Sequence, residues 1–208
     1  MKINVVNNTG INVKVEKSDD GKSITLYVDE INKNSVPLGD VECGKVVKIG
    51  DVKYIVLGHS AETTALITKD FVKEMEFGKD NNYKASKVRD YLNGPFFDSL
   101  ADAVGRQNVI MHNVNLTADD GTNVGKCCRD HVSLLTTELY RRYRQYLPAY
   151  GKWWWLATPV SDHKDYAGFV CRVDSDGVLD WGGSGCCLGV RPFCILNSSI
   201  SNFEVVES

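Results

Sequence analysis

Motifs that would declare a chemistry are missing from the 208-residue sequence. There is no C-x-x-C pair, no G-x-S-x-G, no P-loop and no G-x-G-x-x-G. Their absence removes the sequence signals of a thioredoxin-like redox site, a nucleophile elbow, a nucleoside-triphosphate loop and a dinucleotide-binding turn. His59, His112, His131 and His163 include no pair at the i, i+4 spacing of two metal ligands on one helical face. A basic surplus is also missing. The formal net charge is -3 and the pI about 5.8, so no overall field draws the chain to nucleic acid or to an anionic membrane. No apolar run approaches the roughly 18 residues of a membrane helix, and MKINVVNNTGINVKVEKSDD lacks a signal-peptide core. A cytoplasmic location is the expectation. Internal repeats and low-complexity runs are absent, and 43% hydrophobic with 25% charged residues is the composition of a globular chain rather than a disordered one.

Two residue types stand out among those present. The cysteines number seven: Cys43, Cys127, Cys128, Cys171, Cys186, Cys187 and Cys194. The adjacent pairs are poorly spaced for tetrahedral zinc, and reduced thiols packed as small buried hydrophobes are the preferred reading, with a disulfide or a redox site as the alternative. All four tryptophans, Trp153, Trp154, Trp155 and Trp181, lie after residue 150.

Apolar alternation at Ile11, Val13, Val15 and at Ile24, Leu26, Val28, around Asp20-Gly21, predicts a hairpin with one apolar face. Such a hairpin is marginal alone, so it is expected to pack on the main body or on a partner. Residues 31–40, with Pro37 and Gly39, read as a linker or long loop. The chain therefore divides into an appendage, 1–36, and a main domain, 37–208. A second hairpin runs through Val46, Val47, Ile49, Gly50-Asp51, Val52, Tyr54 and Val56, and Ala65–Ile67 form a short buried strand. Ser86 is an N-cap, Val88 and Leu92 share a helical face, and Asn93-Gly94-Pro95 reads as the helix stop. Residues 105–125 read as a long irregular connection. A second helix starts near Thr136 and ends before Pro148. After residue 150 come short strands cut by Gly and Asp turns, with six glycines from Gly168 to Gly189. Strands, two helices, then strands, without βαβ alternation, predict an α+β fold.

Each candidate constellation carries a structural alternative. Asp174-x-Asp176-Gly177-x-x-Asp180 faintly resembles a calcium loop, but a hairpin turn between two apolar alternations explains it and is preferred. Tyr140, Tyr143, Tyr146 with Arg141, Arg142, Arg144 have the make-up of a stacking, phosphate-binding helix end, or equally of cations that complement a helix C-terminus. Asp130-His131 reads as structural, and His163, in SDHKDY, as exposed. Arg191, flanked by Val190, Pro192 and Phe193, reads as a buried structural pin. Trp153 and Trp155 read as structural core, with Trp154 on the opposite face of the same strand. No cofactor and no metal is expected.

WWWLATP, YAGFVCRVDSDGVL and GVRPFCIL, preceded by GKVVKIGDVKYIVLG, YKASKVRDYLNGPFFDSL and DHVSLLTTELYRRY, carry a resemblance over roughly residues 43–198. Their order and spacing are similar to those of an uncharacterised family of Firmicutes and their phages, whose members read WWLRSPG, a strand ending in DG, then GVRP. That family resembles the C-type-lectin-like fold of formylglycine-generating enzymes and of the variable proteins of diversity-generating retroelements. Here Ala157-Thr158 stand where the family has Arg-Ser, and residues 1–36 lie outside the match. The resemblance implies a scaffold of short antiparallel strands, two helices and irregular displayed loops.

On that scaffold the expected function is a non-enzymatic binding module. A protein partner would be held by Asp162, His163, Lys164, Asp165, Tyr166, Asp174, Asp176, Asp180, Trp181 and Ser184, a paratope-like mixture of aromatic anchors and polar groups. Phage context would make the partner a host factor and place the protein in the bacterial cytoplasm or the virion. A homo-oligomer through the N-terminal hairpin is a further expectation, while a membrane or nucleic acid is not expected. The alternative is a cysteine oxidase like the formylglycine-generating enzymes, for which Cys187 and Cys194 are the candidate pair. Calcium-dependent sugar binding would need E-P-N or Q-P-D with W-N-D, none of which occurs.

Overall fold

The computed structural model describes residues 13–17, 24–28, 36–123 and 125–206. The chain separates into two units, Met1–Val36 and Pro37–Ser208. In the first, β1 (Val13–Lys17) and β2 (Ile24–Val28) pair antiparallel, with Val13 opposite Val28 and Val15 opposite Leu26. The turn expected at Asp20-Gly21 and the position of Ile11 lie outside the described residues.

The second unit opens with β3 (Val46–Ile49) and β4 (Val52–His59), joined through Gly50 at φ 55°. Then come β5 (Thr63–Thr68), β6 (Lys73–Glu76), α1 (Lys87–Tyr91) and α2 (Phe97–Val104). β7 (Val109–Ile110), β8 (His112–Asn115), β9 (Cys127–Asp130), β10 (Val132–Ser133) and α3 (Thr137–Tyr143) fill the middle. The chain ends with β11 (Trp154–Pro159), β12 (Phe169–Val173), β13 (Leu179–Gly183), β14 (Cys187–Val190), β15 (Phe193–Asn197) and β16 (Glu204–Val206).

One sheet runs β10-β15-β5-β4-β3-β16, with β7 also on β15; another runs β13-β12-β11-β14-β6; β8 and β9 form a separate ribbon. The fold is mixed α+β and mostly sheet. Its pairings are antiparallel except β11 with β14, which run parallel with Trp154 beside Gly189.

The central strands of both larger sheets are buried on two faces, and period-2 alternation deals their side chains to two clusters. Tyr54, Val56, Leu66, Cys194, Trp155 and Ala157 pack with the helical stretch at 87–104. Ile55, Leu57, Ile67, Phe193, Trp154 and Leu156 pack with Tyr140 of α3. Apolar runs such as YIVL and WWLA are the sequence trace of this two-sided burial. Trp155 donates from Nε1 to the Met75 carbonyl at 3.0 Å, and Trp154 meets Tyr140 edge-on at 5.6 Å.

Ser86 caps α1 by accepting from the Arg89 N–H at 3.0 Å, and Thr136 caps α3 from Leu139. The helix breaks where Asn93-Gly94-Pro95 predicts a stop: Gly94 has a non-helical φ of -111° and ψ of -106°, two helices meet there at a kink, and α2 follows directly. Leu92 before the kink and Phe96, Phe97 and Leu100 after it are buried in one cluster. Asn93 is drawn into tertiary contacts, donating to the Val132 carbonyl and accepting from the His131 N–H. The irregular connection expected at 105–125 instead contains β7 and β8.

Candidate functional site

The β12–β13 hairpin turns at Asp174–Gly177, where Gly177 has φ 81°. Asp174 Oδ1 accepts from the N–H groups of Asp176 and Val178, both at 2.8 Å. Asp180 pairs with Arg172, Nη2 to Oδ2 at 2.9 Å, and the Arg172 guanidinium lies 4.0 Å above the Trp153 ring. The three aspartates thus serve different ends: a turn, an exposed loop position and an ion pair. Among the described residues no group of three or more His, Cys, Asp or Glu is placed to hold a metal.

An aromatic ridge runs beside this hairpin. Centroid distances are 6.5 Å from His163 to Tyr166, 6.3 Å from Tyr166 to Phe169 and 5.1 Å from Phe169 to Trp181. Phe169 lies opposite Gly183, so Trp181, two residues earlier on β13, is its diagonal neighbour on the same face. β13 is an edge strand. Trp181 is 52% and Tyr166 45% exposed, high for rings of that size.

The loop that carries Tyr166 is held from below. Asn81 donates through Nδ2 to the carbonyls of Ser161 and Tyr166 at 3.1 and 3.2 Å, and through its backbone N–H to Ala167 at 2.7 Å. His163 caps the short turn Lys164–Tyr166 by accepting from the Asp165 N–H. Asp162 sits at the far end of the loop, its N–H on Thr122 Oγ1 and its carboxylate 3.6 Å from Lys126 Nζ. Sequence reading missed Phe169 and Asn81. The signal for Phe169 was its position opposite a glycine; that for Asn81 was the Asp80-Asn81-Asn82 run ahead of a capped helix.

The structure brings together His163, Lys164, Asp165, Tyr166 and Trp181. Ser184 does not join them and is a correction: it is buried, its carbonyl accepting from Phe77 and Gly78 and its N–H donating to Gly168, which stitches loop to sheet. Trp153 is a second correction. It is 37% exposed at the sheet margin, precedes β11, and stacks on Arg172 instead of filling the core with Trp154 and Trp155.

Arg191 is 2% exposed. Its Nε donates to the Thr68 carbonyl at 3.1 Å, and its guanidinium lies 4.9 Å from the Trp154 ring and 5.4 Å from Tyr150. Burial pulls its pKa down to about 10, still charged at neutral pH. At the end of α3, Arg141 pairs with Asp119, Arg142 with Glu138, and Tyr140 is buried.

No family model, curated protein or solved structure matches this chain.

The cysteines divide by environment. Cys171 and Cys194 are buried, and burial pushes both thiols up to about 12. Cys127, Cys186 and Cys187 are exposed, which corrects the expectation of buried thiols at those positions: they lie at the start of β9, in the β13–β14 turn and at the first position of β14, outside both buried clusters. Cys187 and Cys194 therefore differ in environment and in sheet, β14 against β15. A redox pair needs a low-pKa, accessible thiolate, and Cys194 has neither property.

Proposed function

We propose that the chain is a non-enzymatic binding module that holds a protein partner against the Tyr166–Phe169–Trp181 ridge. The observation that carries this reading is the ridge itself: two exposed rings, Trp181 on an edge strand and Tyr166 on a loop pinned by three Asn81 hydrogen bonds, bridged by the half-buried Phe169. Large rings held in place lose little conformational freedom on binding, which is why such residues dominate interface energetics. Lys164 and Asp165 flank the ridge as rim charges that would orient an encounter more than they add to affinity.

In this reading the scaffold is C-type-lectin-like, the protein is of the Firmicute and phage type its motifs resemble, and the partner is a host factor. The sheet-rich α+β architecture, with two helical stretches and loops converging after residue 159, supports that placement.

The test is a comparison of full-length wild type with Trp181→Ala and Tyr166→Ala, each immobilised and exposed to host proteins. A partner retained by wild type and lost from both variants, with unchanged unfolding transitions, supports the reading. The same partners on all three proteins would remove the ridge from it.

A further inference from the structure

β13 closes one end of its sheet, and the phase of the β12–β13 ladder fixes which of its backbone groups face outward. Asp174 N–H donates to the Val178 carbonyl at 3.0 Å, and Ser184 N–H donates to the Gly168 carbonyl at 2.8 Å. These two pairs bracket the ladder and continue its register, in which Phe169 stands opposite Gly183. Bonded and non-bonded pairs alternate along antiparallel strands. The bonded pairs inside the bracket are therefore Val170 with Gly182 and Arg172 with Asp180. Leu179, Trp181 and Gly183 fall in the other phase, so their N–H and C=O groups point away from β12 to the open edge. Of these groups only the Gly183 carbonyl has a hydrogen-bond partner among the described residues, the Cys186 N–H at 3.0 Å.

Open edges are ordinarily guarded by shortness, by charge or by proline. The other ends of the two larger sheets follow that rule. β10 and β16 are two and three residues long, and β6 carries Lys73, Glu74 and Glu76. β13 is five residues, LDWGG, with no lysine and no proline. Its one charge, Asp180, is paired with Arg172 at 2.9 Å. The unguarded edge is thus the one that carries Trp181, with the Phe169 ring 5.1 Å away.

Donors and acceptors repeated at every second residue of a strand match one chemistry, the main chain of another extended polypeptide. We propose that the partner is held by strand addition: an extended segment of its chain pairs with β13, exchanging main-chain hydrogen bonds with Leu179 and Trp181 and accepting from the Gly183 N–H. The inference rests on the protein-binding reading above and names its mode. Residues of the added strand opposite Leu179 and Trp181 share the face of the ridge and are apolar. Those opposite Asp180 share the face of the Arg172–Asp180 pair and are polar. The main chain supplies affinity and the ridge supplies selectivity.

The probe is a library of short random linear peptides displayed on filamentous phage and selected on the immobilised full chain. The tightest binder is then made as a free peptide, and amide hydrogen exchange of the protein is followed residue by residue. Binding should slow exchange at Leu179, Trp181 and Gly183 by about tenfold or more, while Asp180 and Gly182, already bonded to β12, change little. Trp181→Ala should weaken the same peptide. A peptide that protects none of the three outward amides overturns strand addition; if that peptide still needs Trp181, the ridge reading stands. A peptide that protects all three and binds Trp181→Ala like wild type upholds strand addition and removes the ridge. Failure to select any peptide overturns the proposal, and the ridge is then judged by host-protein capture alone. Protection of the same amides in the protein by itself, rising with its concentration, would give the edge to a second copy of the chain and also overturn it.

Discussion

At the scale of single residues, burial and partner chemistry sort side chains that look alike in the sequence. The thiols are the clearest case. In native protein at pH 8, three thiols, those of Cys127, Cys186 and Cys187, should form the fast phase of modification by an aromatic disulfide reagent. Cys171 and Cys194 should react only on unfolding, because desolvation holds both near 12. Rapid labelling of Cys194 would contradict the packing described here.

His112 gives a pH dependence. Its Nε2 lies 2.9 Å from Ser133 Oγ, its ring meets Phe193 edge-on, and burial lowers its pKa below the ordinary value. The unfolded chain then binds the proton more readily than the folded one. The stability His112 contributes is complete above the unfolded pKa of about 6.5 and is lost as pH falls through the lower folded value. Urea unfolding should show a smaller drop from pH 7 to pH 5 for His112→Gln than for wild type. Asp120 and Glu76, held below the usual carboxylate range first by hydrogen bonds from Ser161 and Lys87, act in the same direction but at lower pH. An unchanged slope in the variant would remove His112 from the acid response.

Among elements, close approach rather than propensity governs the joint between β14 and the segment before β6. A Cβ at Gly189 would stand 2.2 Å from the Phe71 ring, which itself packs on Tyr150 at 4.4 Å. Gly189→Ala should therefore cost about 1–3 kcal/mol in chemical denaturation. Adding Phe71→Leu should recover part of that loss, a non-additivity that distant sites do not show. Strictly additive costs would mean that the ring does not hold this joint.

The same scale shows what was readable in advance. The two hairpins, the caps at Ser86 and Thr136, and the turn at Asp174–Gly177 were readable because short-range chemistry decides them. The break at Asn93-Gly94-Pro95 was readable for the same reason, but the immediate restart as α2 was not, because burial of Phe96, Phe97 and Leu100 decides it. The parallel β11–β14 pair was not, because it joins residues that alternation alone cannot bring together. Within the candidate site, Tyr166 and Trp181 were readable as large rings among glycines and polar residues. Ser184 was misplaced because a serine between glycines looks solvent-facing until its carbonyl is seen to accept from Phe77 and Gly78, just after β6.

For the molecule as a whole, the arrangement of surfaces carries the functional argument. Two clusters fill the main unit, and the face that gathers exposed rings is the one where β13 ends its sheet and loop 159–168 is tied down by Asn81. The central claim is that this face, through Trp181 and Tyr166, is where a protein partner is held. Its most direct measurement is quantitative capture of host proteins by wild type, Trp181→Ala and Tyr166→Ala side by side, with thermal unfolding of each as the control for folding. The account predicts one partner strongly depleted on both variants while their unfolding transitions stay at the wild-type temperature; equal recovery of every partner on all three proteins would contradict it.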